Sequence, residues 1–124
     1  AIDWTYKTKY KDLVDYYAAL AAIRHAHPGF CLGDAELVRQ KLQFIDVEDP
    51  CVVAFRISSL EGIDSAKSLT VILNGSKKAV KVDIPQGNYE ILAQNGKADA
   101  DGLGAYSGSA ISAGATSATI LAEK

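Results

Sequence analysis

The sequence predicts a mainly β protein, an antiparallel β-sandwich of Greek-key type preceded by one long and one short helix, on three observations. Apolar residues recur at spacings of three and four only in the first third of the chain. From Leu42 onward the texture changes to short β-type runs separated by turn residues, the pattern of a sandwich or barrel. A length of 124 residues, with 48% hydrophobic and 23% charged residues, suits one packed domain rather than a disordered chain.

The long helix is expected over Lys9 to Ala26, where Leu13, Tyr16, Tyr17, Leu20, Ile23 and Ala26 form the apolar stripe. Thr8 is its candidate N-cap. Asp12 lies near the positive end of the helix dipole, and Arg24 and His25 near the negative end. Pro28 and Gly29 stop it, because Pro supplies no backbone donor and biases His27 away from helical angles. A short helix follows from Asp34 or Ala35 to Lys41, with Asp34 as cap and Leu37 and Val38 facing inward.

Strands are expected at Leu42 to Asp46, Cys51 to Ser58, Ser68 to Asn74, Ala79 to Ile84, Tyr89 to Gln94, Ala110 to Ser112 and Thr116 to Leu121. Asp49-Pro50, Asn74-Gly75, Pro85-Gln86-Gly87 and Asn95-Gly96 supply the turns. VAFRI and TVILN alternate poorly and read as buried, whereas KAVKVDI alternates cleanly and should have one wet face. The Ala-, Gly-, Ser- and Asp-rich stretch from Lys97 to Gly114 reads as a loop crossing between sheets.

The chemistry is sparse. A net charge of −2 and a pI near 5.6 give no electrostatic reason to expect nucleic acid or an anionic membrane as partner. No apolar run approaches the roughly 18–20 residues needed to span a bilayer. Motifs of the GxSxG, Walker, HExxH and GxGxxG kinds are absent. His25 and His27 point in different directions at a helix end and read as termination residues, and no cofactor or metal is expected. Asp99 and Asp101 lack the later acidic ligands of a calcium loop. Glu48 with Asp49, and Asp99 with Asp101, are the nearest carboxylate pairs for glycosidic chemistry, but both sit in turns. No catalytic residue is therefore assigned.

Cys31 and Cys51 would close a loop of about 20 residues, worth about 3 kcal/mol if bridged; free thiols are the expected state. The aromatic cluster Trp4, Tyr6, Tyr10, Tyr16 and Tyr17 is the most suggestive chemistry. Trp4 and Tyr6 are candidate carbohydrate contacts, because exposed rings stack on sugar faces. Tyrosines at helical spacing read instead as an interface with another layer of protein. Methionine is absent, so Ala1 is expected to follow a processing or cleavage event in a longer polypeptide.

YYAALAAIRHAHPGF, from Tyr16 to Phe30, resembles the last helix of the catalytic barrel in bacterial pullulanases of the α-amylase superfamily. The matching positions are Tyr16, Tyr17, Leu20, Ile23, Arg24, His27, Pro28 and Phe30. IDWT, from Ile2 to Thr5, is similar to the segment before that helix. VVAFRIS, DSAKSLTVILNGS and VKVDIPQGNYEIL are similar, in order, to the family's C-terminal β-domain. Ala66 and Tyr89 stand where the family often has Trp, and Ala19 and Ala21 replace a Gly and a larger apolar residue, which leaves the preferred α-glucan open.

The resemblance implies a domain division: residues 1–30 as the closing helix of a (β/α)₈ barrel that lies upstream, and 31–124 as a non-catalytic C-terminal β-sandwich that stabilises it. The parent would hydrolyse α-1,6 linkages of pullulan or branched starch by a retaining mechanism. Tyr16, Tyr17, Leu20 and Ile23 then become the barrel interface, the barrel and the parent's α-glucan the partners, and a homodimer through the helix the expectation for the isolated chain. A carbohydrate-binding module is the alternative. Either bacterial cytoplasm or cell surface is compatible.

Overall fold

The computed structural model describes Thr5 and residues 11–30, 33–47 and 49–123, with Asp12 and Leu13 described in their backbone only. Helix α1 spans Lys11–Ala26, a 3₁₀ turn follows at Pro28–Phe30, and α2 spans Ala35–Lys41. The candidate cap Thr8 lies outside the described residues. Asp34 caps α2 as expected, its side chain accepting from the Glu36 amide at 2.8 Å. Val38 does not face inward as the sequence suggested: two helical turns bury one stripe, and Leu37 takes it while Val38 stands in solvent.

Among the described residues seven strands form one antiparallel sheet: β1 (Leu42–Ile45), β2 (Val52–Ile57), β3 (Ser68–Asn74), β4 (Val80–Gln94), β5 (Lys97–Ala98), β6 (Gly104–Ala113) and β7 (Ser117–Glu123). The order β1-β2-β3-β7-β4-β5, with β6 on β4, brings the final strand into the middle. The expected mainly antiparallel β fold with two helices before it is therefore what forms.

Two sequence expectations fail in the same place. Pro85-Gln86-Gly87 is not a turn between strands but an irregularity inside β4, where pairing with β6 slips between Asp83 and Gly87. Pro85 has no amide to give a ladder, so the strand bends there rather than reversing. The supposed loop of Lys97 to Gly114 holds β5 and the ten-residue β6, whose small side chains lie along β4 from Val80↔Ala113 to Ile91↔Gly104. Two tyrosines directly opposite each other brace the bulge. The Tyr89 hydroxyl donates to the Pro85 carbonyl at 2.6 Å, and the Tyr106 hydroxyl to the Ala110 carbonyl.

Because β4 bends, its first half lies over β2, β3 and β7 while its second half pairs with β7. One continuous sheet thus folds onto itself as two layers. Val52, Ala54, Ile72, Val82, Ile84, Ile111 and Leu121 fill the space between them. A second core lies on the other side of β2 and β3, where Ile23 of α1 joins Ile57, Leu60, Leu69 and Leu92. Each such side chain, fully buried, contributes roughly 1.5–3 kcal/mol.

The turns follow their residues. Asn95 and Gly96, at φ 51° and 79°, make the tight β4–β5 reversal that Asn-Gly predicts. Asn74 accepts from the Ser76 amide and donates to the carbonyls of Lys78 and Ala113, tying the β3–β4 connection to the end of β6.

Candidate functional site at the helix-to-sheet junction

Helix α1 ends where its sequence says it should, but His27 does more than terminate it. Its amide closes the last helical turn on the Ile23 carbonyl at 3.0 Å. Its ring, 5% exposed, meets Oδ1 of Asp64, 0% exposed, at 2.8 Å. The same carboxylate accepts from the Ala66 amide at Oδ1 and from the Gly29 amide at Oδ2, each at 3.0 Å. Asp64 is 37 residues from His27 in sequence, in the connection between β2 and β3.

Burial pushes the Asp64 carboxyl up. The amides of Ala66 and Gly29 and the His27 ring outweigh it, and the group is held below the ordinary carboxylate value. Asp64 is therefore ionised at neutral pH and only accepts, so Nδ1 of His27 donates. Gly29 is buried because the helix exit passes close to this connection; a Cβ there would lie 2.7 Å from Cδ1 of Leu60. The junction is a structural clamp whose polar groups are spent on one another.

The residues singled out in the sequence fall into three groups. Ile23 is 1% exposed, inside the second core, with Leu20 packed beside it. Tyr16 is half-buried, and Tyr17 is 64% exposed with its ring 6.4 Å from that of Tyr16. Trp4, Tyr6, Tyr10, Cys31 and Glu48 lie outside the described residues, while Cys51 is exposed as a free thiol. Asp99 accepts from the Asp101 amide at 2.9 Å, and Asp49 from the Cys51 amide at the same distance, both as turn-stabilising side chains.

Elsewhere the polar chemistry is structural. Arg56 Nη2 donates to Ser68 Oγ and to Glu123 Oε1, each at 3.1 Å, at the edge of the two-layer core. Burial, and then the Glu123 charge, push the Tyr89 phenol up. Among the described residues no three His, Cys, Asp or Glu side chains gather as a metal would need. Sequence reasoning missed Asp64. Its only signal was the position of DSAKS in the resemblance, since nothing local marks a partner so far away.

A bent antiparallel sheet in two layers, with its preceding helix clamped to one face, defines a class, an all-β domain. Residues 38–97 match the family model described as "Pullulanase, all-beta domain". Over 84 residues the chain is 29% identical to the pullulanase of Bacillus subtilis, covering 68% of this chain and 12% of that protein. The solved pullulanase from Bacillus acidopullulyticus superposes with a TM-score of 0.87 at 26% identity, over 98% of this chain and 15% of that one. A Paenibacillus barengoltzii pullulanase mutant solved with maltotriose gives 0.78 at 27% identity, over 98% and 18%. The chain thus spans less than a fifth of the length of each.

Proposed function

We propose that this chain is the non-catalytic C-terminal β-domain of a larger pullulanase-type enzyme, together with the closing helix of its catalytic barrel. The observation that carries this reading is one of coverage: nearly the whole chain superposes on pullulanases, yet on only 15–18% of their length. The parent enzyme would cleave α-1,6 bonds of pullulan or branched starch, with both catalytic carboxylates upstream. The role of this part is to stabilise the barrel. Helix α1 would serve both, its inner side with Ile23 and Leu20 held by the β-domain and its outer side with Tyr17 turned to the barrel.

The clamp at Asp64 supports such a role, since it fixes the exit of α1 rigidly to the sheet. On this reading residues 1–30 are the closing helix of the barrel and 31–124 the β-domain, and the two share one core through Ile23.

The test is a reducing-sugar assay on pullulan and amylopectin, with the 124-residue chain beside the complete polypeptide. Activity confined to the complete polypeptide is expected. Turnover that follows the purified chain through chromatography would overturn the reading.

A further inference from the structure

Asparagine followed by glycine carries a reactivity of its own. The backbone amide nitrogen of the second residue can attack the side-chain carbonyl carbon of the first, and a glycine in that place offers no side chain to obstruct the approach. The chain holds three asparagines, and two of them, Asn74 and Asn95, precede glycine. The fold treats these two in opposite ways.

Asn74 is buried, at 3% exposure, and both ends of its side-chain amide are engaged. Its Nδ2 donates to the carbonyls of Lys78 and Ala113, and its Oδ1 accepts from the Ser76 amide and hydroxyl. The attacking nitrogen is engaged as well, since the Gly75 amide donates to the Cys51 carbonyl at 2.9 Å. Asn95 and Gly96 stand exposed at the tip of the β4–β5 reversal. Among the described residues neither the Asn95 side chain nor the Gly96 amide has a hydrogen-bond partner. Nothing lies within 4 Å of where a Cβ on Gly96 would stand. The Asn95 carbonyl oxygen lies over Gly114, where a Cβ would collide with it, so a missing side chain rather than a bond gives it its place.

We infer that Asn95-Gly96 is a site of spontaneous backbone modification, converting to a cyclic imide and then to isoaspartate or aspartate, while the fold holds Asn74-Gly75 inert. The Gly96 nitrogen forms a bond to Cγ of Asn95, its proton passes through solvent to the departing Nδ2, and the Cγ–Nδ2 bond breaks to release ammonia. Water then adds to either imide carbonyl and opens the ring. Water is taken up and ammonia lost, with no change of oxidation state. In its isoaspartyl form the product carries an extra backbone methylene, which breaks the match between a two-residue turn and its strands. The pairs at stake are Gln94↔Lys97 and Ala93↔Ala98. Helix α1 lies against β5, Ala98 packs on the core that holds Ile23, and the turn shares a hollow with Asp15 and Tyr16. Conversion therefore loosens the seat of α1, whatever the function of the parent polypeptide.

The complete polypeptide and the 124-residue chain, held folded in warm, mildly alkaline buffer, are digested at intervals and mapped by mass spectrometry, with isoaspartate read by enzymatic methylation. Conversion at Asn95 should run at least about tenfold faster than at Asn74, which reacts only from locally opened states. In denaturing urea the two dipeptides should convert at similar rates. Asn95→Gly keeps a turn-forming pair and should remove the isoaspartate. The helical circular dichroism of the aged 124-residue chain should melt earlier than that of the fresh chain, and Asn95→Gly should abolish the difference. Equal rates at Asn95 and Asn74 in the folded forms overturn the inference, as does an Asn95 that stays intact in the folded complete polypeptide while converting in urea. Conversion that leaves the helix melting in place overturns the loosening of α1.

Discussion

The two outer faces of the sandwich follow different rules. On β4 and β6 the solvent side carries Lys81, Asp83 and Ser112, and the strands alternate as an isolated domain requires. On β2 and β3 the outer side is apolar as well as much of the inner one, so that Ile72 and Leu73, adjacent in sequence, face a sealed core and open solvent respectively. The difference teaches that the outer side of the second layer follows the demands of a helix packed on it rather than those of water. Among the described residues helix α1 supplies the cover over Ile57 and Leu69 and leaves Val53 and Leu73 exposed.

The largest expected effect separates those neighbours. Ile72→Ala leaves a cavity between the layers and should cost about 2–5 kcal/mol, whereas Leu73→Ala removes a half-exposed side chain and should stay within about 1 kcal/mol. Urea unfolding with unchanged m-values would give both numbers. Equal costs would mean that the outer face is sealed in the chain alone, and the contrast between faces would fail.

The clamp should come next. Asp64→Ala leaves the amides of Gly29 and Ala66 and the His27 ring without their buried acceptor, at a cost of about 3 kcal/mol. Helical circular dichroism should fall before the β signal does, because α1 is what the clamp holds. A loss shared equally by both signals would show that helix and sheet melt as one unit.

The same carboxylate sets an acid limit. Its folded pKa lies below the ordinary value, so the stability it contributes is fully present above that value, near 4, and is lost as pH falls through the lower folded one. Denaturant midpoints should therefore drop below about pH 4 more steeply for the native chain than for Asp64→Asn. Parallel curves would assign the acid sensitivity to the surface carboxylates instead.

Much of the architecture was legible because it is local. The end of α1, the Asp34 cap, the first three strands and the Asn-Gly reversal each rest on a few neighbouring residues. Strand β6 was not. Gly104, Gly108, Ala110 and Ser112 have little strand preference of their own, and pairing with β4 makes the strand, which is tertiary context overriding propensity. Pro85 misled for a related reason, since a bulge and a turn use the same residues. The poor alternation of VAFRI, expected to mean burial, holds for Ala54 and Ile57, whereas Phe55 is half-buried against the second core and Val53 is exposed. His27 was read as a helix stop, and its partner 37 residues away could not be reached by any spacing rule.

The smallest effect is the most discriminating. Phe44 sits on edge strand β1, 72% exposed, with the Phe55 ring beside it. Replacing it with Thr introduces a β-branched residue that is also suited to a strand. It removes little buried area, since most of the ring is already in water, and one aromatic pair worth about 0.5–1.5 kcal/mol when well packed. The expected cost in the dilute chain is therefore about 0.5 kcal/mol, close to the limit of detection by denaturant midpoint. Association should respond far more, because Phe44 is the largest apolar group that the face offers to a partner or a second copy. Sedimentation at rising concentration should show any self-association of the native chain weakened by Phe44→Thr, while Lys81→Thr on the polar face leaves it unchanged. A cost of several kcal/mol at low concentration would instead place the Phe44 ring inside a core, and the two faces would no longer differ.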